Sequence, residues 1–160
     1  MRVSSHVDRE RDFTRYRTFD WGPADALPAG DPRLERDAFF QDHIQGAIER
    51  GMAAKGFERA SATEVPDVRV HFHAVIDRRI DVNRLDYQSG YCSRNDCQAD
   101  VSEYEEGTLV IDIIDVSTNR LVWRGWAQDS VEGVLKNQDR LARKIEEAVR
   151  LMFDRLPATR

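Results

Sequence analysis

No apolar run in this 160-residue chain approaches the roughly 20 residues that a membrane-spanning helix needs, so no helical span is expected. Basic charge is not in excess either. The chain has 24 Lys and Arg against 29 Asp and Glu, for a net charge of −5. Nucleic acid binding and electrostatic docking on anionic lipid both want a concentrated basic face, and this balance argues against each. Cysteine is scarce, with only Cys92 and Cys97. There is no Gly-rich phosphate loop, no Gly-x-Ser-x-Gly turn and no His-Glu-x-x-His pair, which leaves the common catalytic classes without a motif. Internal repeats and low-complexity tracts are absent as well. From this we assign no catalytic residue, no metal and no cofactor.

What is present suffices for one domain spanning residues 1–160. The apolar fraction is 41%. A chain of this length buries roughly two-thirds of its unfolded surface, so it needs neither a metal nor a disulfide to fold. Residues 1–12 are polar and read as an extended N-terminal segment. The aromatic and β-branched stretch Tyr16 to Trp21 predicts a strand, ended by Gly22-Pro23. Asp31-Pro32 then has the chemistry of a helix start. Phe40, Ile44, Ala47, Ile48 and Met52 recur every three or four residues. Together they predict one helix of about 20 residues, closed by Lys55-Gly56.

From Val68 the period changes to two. Val68, Val70, Phe72, Ala74 and Ile76 fall on one face; Arg69, His71, His73, Val75 and Asp77 fall on the other. This is a strand with one buried face, continuing towards Val82. Residues 83–102 lose all periodicity and read as a long polar loop. Thr108 to Val116 and Arg120 to Ala127 form a hairpin across Ser117-Thr118-Asn119, which sets Asp112 opposite Arg124. A second long helix begins near Leu135, carries Leu141, Ile145, Ala148, Val149 and Met152 on one stripe, and closes at Pro157. The expected class is α+β: an antiparallel or mixed sheet of four to five strands with two long helices packed on one face.

Five blocks carry a family resemblance. They are Asp12 to Trp21, Ala54 to Phe57, Pro66 to Val70, Glu106 to Asp112 and Arg120 to Gly125. In this order they resemble the bacterial domain-of-unknown-function family numbered 4136, over nearly the whole chain. The resemblance implies a periplasmic lipoprotein, anchored in the full-length protein by a lipidated cysteine upstream of this chain. It implies no activity. The expected function is a non-catalytic envelope domain that binds a protein partner or a small envelope ligand.

In an exported protein Cys92 and Cys97 are expected to form a disulfide, closing a short ring and contributing about 2 kcal/mol. The alternative joins them to His71 and His73, two histidines on one strand face, as a Cys2His2 metal site. A further alternative is an envelope enzyme using His71 and His73 with nearby carboxylates. Alone, the two histidines read as partly exposed strand residues. Tyr87 and Tyr91 sit in the polar loop, where packing does not demand them, and are the expected contact surface. Phe13, Tyr16, Phe19 and Trp21 read as packing residues. Glu103, Glu105 and Glu106 read as a solvated acidic loop.

Overall fold

The structure is a computed structural model that describes residues 1–22, 30–80 and 103–159. Its elements are β1 (Arg2–Val7), a short 3-10 turn (Phe13–Arg15), β2 (Thr18–Trp21), α1 (Pro32–Glu35), α2 (Ala38–Ala54), β3 (Glu58–Arg59), β4 (Val68–Ile80), β5 (Glu103–Asp115), β6 (Arg120–Ser130) and α3 (Gln138–Phe153). The class is α+β, as expected, but the sheet has six strands in the order β1-β6-β5-β4-β2-β3. β2 runs parallel to β3 and β4, and every other pair is antiparallel.

Within the N-terminal segment read as extended lies edge strand β1, which pairs with β6 from Arg2↔Gln128 to Val7↔Trp123. Two local readings are corrected. The single helix predicted after Asp31 is two. Asp31 caps α1, but Asp37 turns extended (φ −87°, ψ 105°) and its carboxylate accepts from Phe39 N and Phe40 N, starting α2 afresh. The acidic run before the hairpin is strand: Glu103, Glu105 and Glu106 all lie in β5. The predicted ends hold better. Gly56 follows α2 at φ 96°, and Asn119 takes the left-handed φ 55° that the β5–β6 turn needs.

Both long helices cover the same face of the sheet. Their buried stripes are Phe40, Ile44, Ala47, Ile48 and Met52 on α2, and Leu141, Ile145, Ala148, Val149, Met152 and Phe153 on α3. They meet Phe19, Val68, Val70, Ile111, Ile113, Trp123 and Ala127 in one core. Polar ties fix the contact. Trp21 Nε1 donates to Glu49 of α2 at 3.1 Å, and Lys144 of α3 reaches Asp129 at 2.6 Å. Phe13, Tyr16 and Phe19 are core residues, as read from the sequence.

The same register turns the alternate side chains to the other face, where no described helix or strand packs. Trp123 and Trp126 are the clearest case. Trp123 is fully buried under α3, while Trp126 points the other way and stays half-exposed.

Candidate functional site

Cross-strand registration places one row of polar side chains across the open face. His6 of β1 stands opposite Arg124 of β6, Arg124 opposite Asp112 of β5, and Asp112 opposite His71 of β4. The next row is Ser4, Trp126, Val110 and His73. The two histidines therefore share one face, as their spacing predicts. Half-buried Val110, Ile114, Leu121 and Trp126 flank the ion pair, a mixed surface of the kind that partners cover.

The pair at the centre is tightly made. Arg124 donates from Nε and Nη2 to the two oxygens of Asp112, each at 2.6 Å. The sequence had set these two opposite each other. The Asp112 side chain is only 4% exposed and that of Arg124 is 44% exposed. The carboxylate thus lies against the sheet and the guanidinium faces outward. A second pairing of this kind was not foreseen. Buried Glu106 accepts from Arg2 at 2.9 Å and lies 3.4 Å from Arg79. Glu106 stands opposite Asp77 and Arg79 opposite Tyr104, so the Glu106–Arg79 contact runs diagonally between adjacent strands.

His71 differs from its expected partial exposure: it is buried, with 8% of its surface accessible. Gly22 explains this. Gly22 N donates to Val70 O at 3.0 Å, and the His71 ring lies directly over the glycine, so that a Cβ there would stand 1.9 Å from Cε1. Burial holds the imidazole below its ordinary pKa. The Asp112 charge works against that and Arg69 adds to it. The sign for stability follows. Above about pH 6.5 the ring is neutral folded or unfolded. As pH falls, the unfolded chain takes up the proton first, so stability drops between pH 6.5 and the lower folded value. We expect His71→Gln to flatten this arm of a stability-versus-pH curve, measured by denaturant midpoints from pH 7.5 to 5. An unchanged slope would remove His71 as its source.

Along β4 past the end of β2, where Gly22 N donates to Val70 O and Asp31 N to Ala74 O, a cleft of about 430 Å³ opens, lined in part by Trp21, Glu35, Gln41, Gln45, His71 and His73. It contains acid, amide and imidazole groups. Among the described residues no group of three His, Cys, Asp or Glu side chains is placed to hold a metal ion. Tyr87, Tyr91, Cys92 and Cys97 lie outside the described residues.

A family model described as a domain of unknown function, DUF4136, matches residues 3–158. No curated protein matches the chain. Among solved structures, a PDZ domain protein from Parabacteroides distasonis is similar at TM-score 0.59 and 18% identity, covering 99% of this chain and 36% of that one. This chain therefore spans about a third of that protein. A DUF4136 family protein from Bacteroides thetaiotaomicron is similar at TM-score 0.56 and 16% identity, covering 95% and 93%. The PelC dodecamer from Paraburkholderia phytofirmans is similar at TM-score 0.52 and 10% identity, covering 99% of each chain. At these identities the likeness is one of fold.

Proposed function

The chain belongs to the DUF4136 family, and from that premise we propose that it is a non-catalytic domain of the bacterial envelope which binds a protein partner through the open face of its sheet. The observation that carries this reading is the polar row from His71 through Asp112 and Arg124 to His6, on the face that no described helix or strand covers, set among half-buried apolar side chains. One face of the sheet is fully occupied by helices. The other presents Trp126, Ile114 and Leu121 beside a guanidinium, the residue types from which interface centres are built. The proposed location is the periplasm, with a lipid anchor upstream; this part rests on kinship.

Site-specific photo-crosslinking in cells tests the binding surface. A photoreactive residue at Trp126 or His73 is expected to yield one discrete adduct, and the same residue at Glu147, on the outer side of α3, is expected to yield none. Adducts from Glu147 alone, or equal adducts from all three positions, would place the interface elsewhere. Fractionation that recovers the full-length protein from the cytosol would remove the compartment.

A second reading has one observation in its favour. The cleft beside His71 and His73 has room for a small molecule, as an envelope enzyme or a ligand-binding module would need. As an acid–base site it is poorly supported. The carboxylate opposite His71 is Asp112, and both its oxygens are already taken by Arg124. Among the described residues no hydrogen bond joins Asp112 to His71, so nothing orients this imidazole as a general base. Turnover of any substrate that His71→Ala abolishes, with the fold retained, would favour this reading over the first.

A further inference from the structure

We propose that β1 is a self-complementary edge through which two copies of this chain join their sheets. This goes beyond partner binding on the open face and does not depend on it. β1 ends the sheet, with β6 on one side and no described strand on the other. Backbone direction along it is fixed by alternation. Asp8 N donates to Val122 O, so the even residues of β1 turn to β6 and Val3, Ser5 and Val7 turn outward. Three donors and three acceptors thus line the edge, and none has a partner among the described residues. Nothing in Arg2-Val3-Ser4-Ser5-His6-Val7 blunts it: the strand has no proline, no lysine and no bulge.

A two-fold axis perpendicular to the sheet at Ser5 pairs the edge with itself in one register. Ser5 meets Ser5 of the second copy, and Val3 meets Val7. Ser4 meets His6, and Arg2 meets Asp8 just past the strand end. Each pair keeps its residues on a common face. Val3 and Val7 already pack on the helix-side core, so their pairing extends that core across the axis. On the open face the outer pair is of opposite charge. Arg2 is 74% exposed and gives Glu106 only one of its nitrogens. All six outward backbone groups find partners in this register. The contact is isologous and closes at two copies.

Light scattering coupled to size-exclusion chromatography tests this on the full chain across a concentration series. A mass of two copies is expected, falling twofold to one copy in Ser5→Pro. That substitution removes an outward N–H and leaves the β1–β6 ladder whole. An unchanged circular dichroism spectrum shows that the fold survives. A one-copy mass throughout the series would overturn the proposal, as would an assembly that Ser5→Pro leaves intact. If Ser5→Pro unfolds the chain, Ser5→Cys decides, with Cys92 and Cys97 replaced by serine. Facing residues of a hydrogen-bonded antiparallel pair lie about 5.5 Å apart at Cα, inside the range of about 4.4–6.8 Å that a disulfide spans. Mild oxidation is expected to link the two copies through Cys at position 5 and not through Cys at position 4. Equal linkage from both positions, or none from either, would sink the register.

Discussion

Replacing Trp123 by alanine is expected to cost about 3–5 kcal/mol of folding stability, the range for deleting a buried large aromatic. The site gives no route to relaxation. Trp123 is fully buried and stacks on Phe153 of α3, with ring centroids 5.7 Å apart and planes at 19°. Its six-membered ring also covers Gly125, where a Cβ would stand 2.3 Å from Cη2. Alanine at 123 would therefore open a void bounded by a helix on one side and bare strand backbone on the other. Gly125→Ala is its counterpart, overfilling the same space at a cost of about 1–3 kcal/mol. Trp123→Phe should be milder than its loss of volume suggests. The indole Nε1 is buried with no hydrogen-bond partner among the described residues, and an unpaired buried donor costs about 1–3 kcal/mol that phenylalanine does not incur. Denaturant midpoints at constant m-value would check the series. A Trp123→Ala loss below about 1 kcal/mol would mean that α3 collapses onto the sheet and that the packing is not rigid.

The elements legible in the sequence are those whose evidence is local. Asp112 and Arg124 could be set opposite each other because they lie close in sequence on either side of one short connection, although the turn pairs Asp115 with Arg120 and it is a bulge between Ile113 and Ile114 that completes the register. The apolar stripes of α2 and α3 were legible for the same reason, since a helical period needs only its own residues. β1 was not. Val3 and Val7 are its only large apolar residues, and its pairing partner β6 lies more than a hundred residues later. β3 is two residues long and carries no periodicity at all. The split between α1 and α2 turned on Asp37, one of several acidic residues in the stretch, whose role as a cap depends on its backbone conformation and not on its type.

The site shows the same division. That His71 and His73 share a face follows from strand period alone. That His71 is buried requires the parallel β2–β4 pairing that brings Gly22 beneath its ring. The sequence offers Gly22-Pro23 only as a strand breaker. Glu106 with Arg2 and Arg79 joins β5 to both β1 and β4, so it is visible only once the strand order is known. Tyr87 and Tyr91, the contacts expected from the sequence, lie outside the described residues.

Arg124→Ala is expected to be far costlier than Asp112→Ala, and that asymmetry follows from which partner is buried. Removing Arg124 leaves a carboxylate that is 4% exposed with no counter-charge. Uncompensated buried charges cost about 3–5 kcal/mol, and the partial exposure of this pair points to the lower end, about 3 kcal/mol. Removing Asp112 leaves a guanidinium that is already 44% exposed and can turn to water, so about 1 kcal/mol is expected, close to the cost of one lost hydrogen-bonded contact. The double variant should be more stable than Arg124→Ala alone, because the stranded charge is gone, and the pair's coupling can be read from the cycle. Equal losses from the two single variants would mean that Asp112 reaches solvent when its partner is removed. The row across the open face would then be a flexible surface and not a preformed one. The proposed binding depends on this distinction, since a guanidinium pinned by two short hydrogen bonds offers its outer edge to a partner without first paying to be ordered.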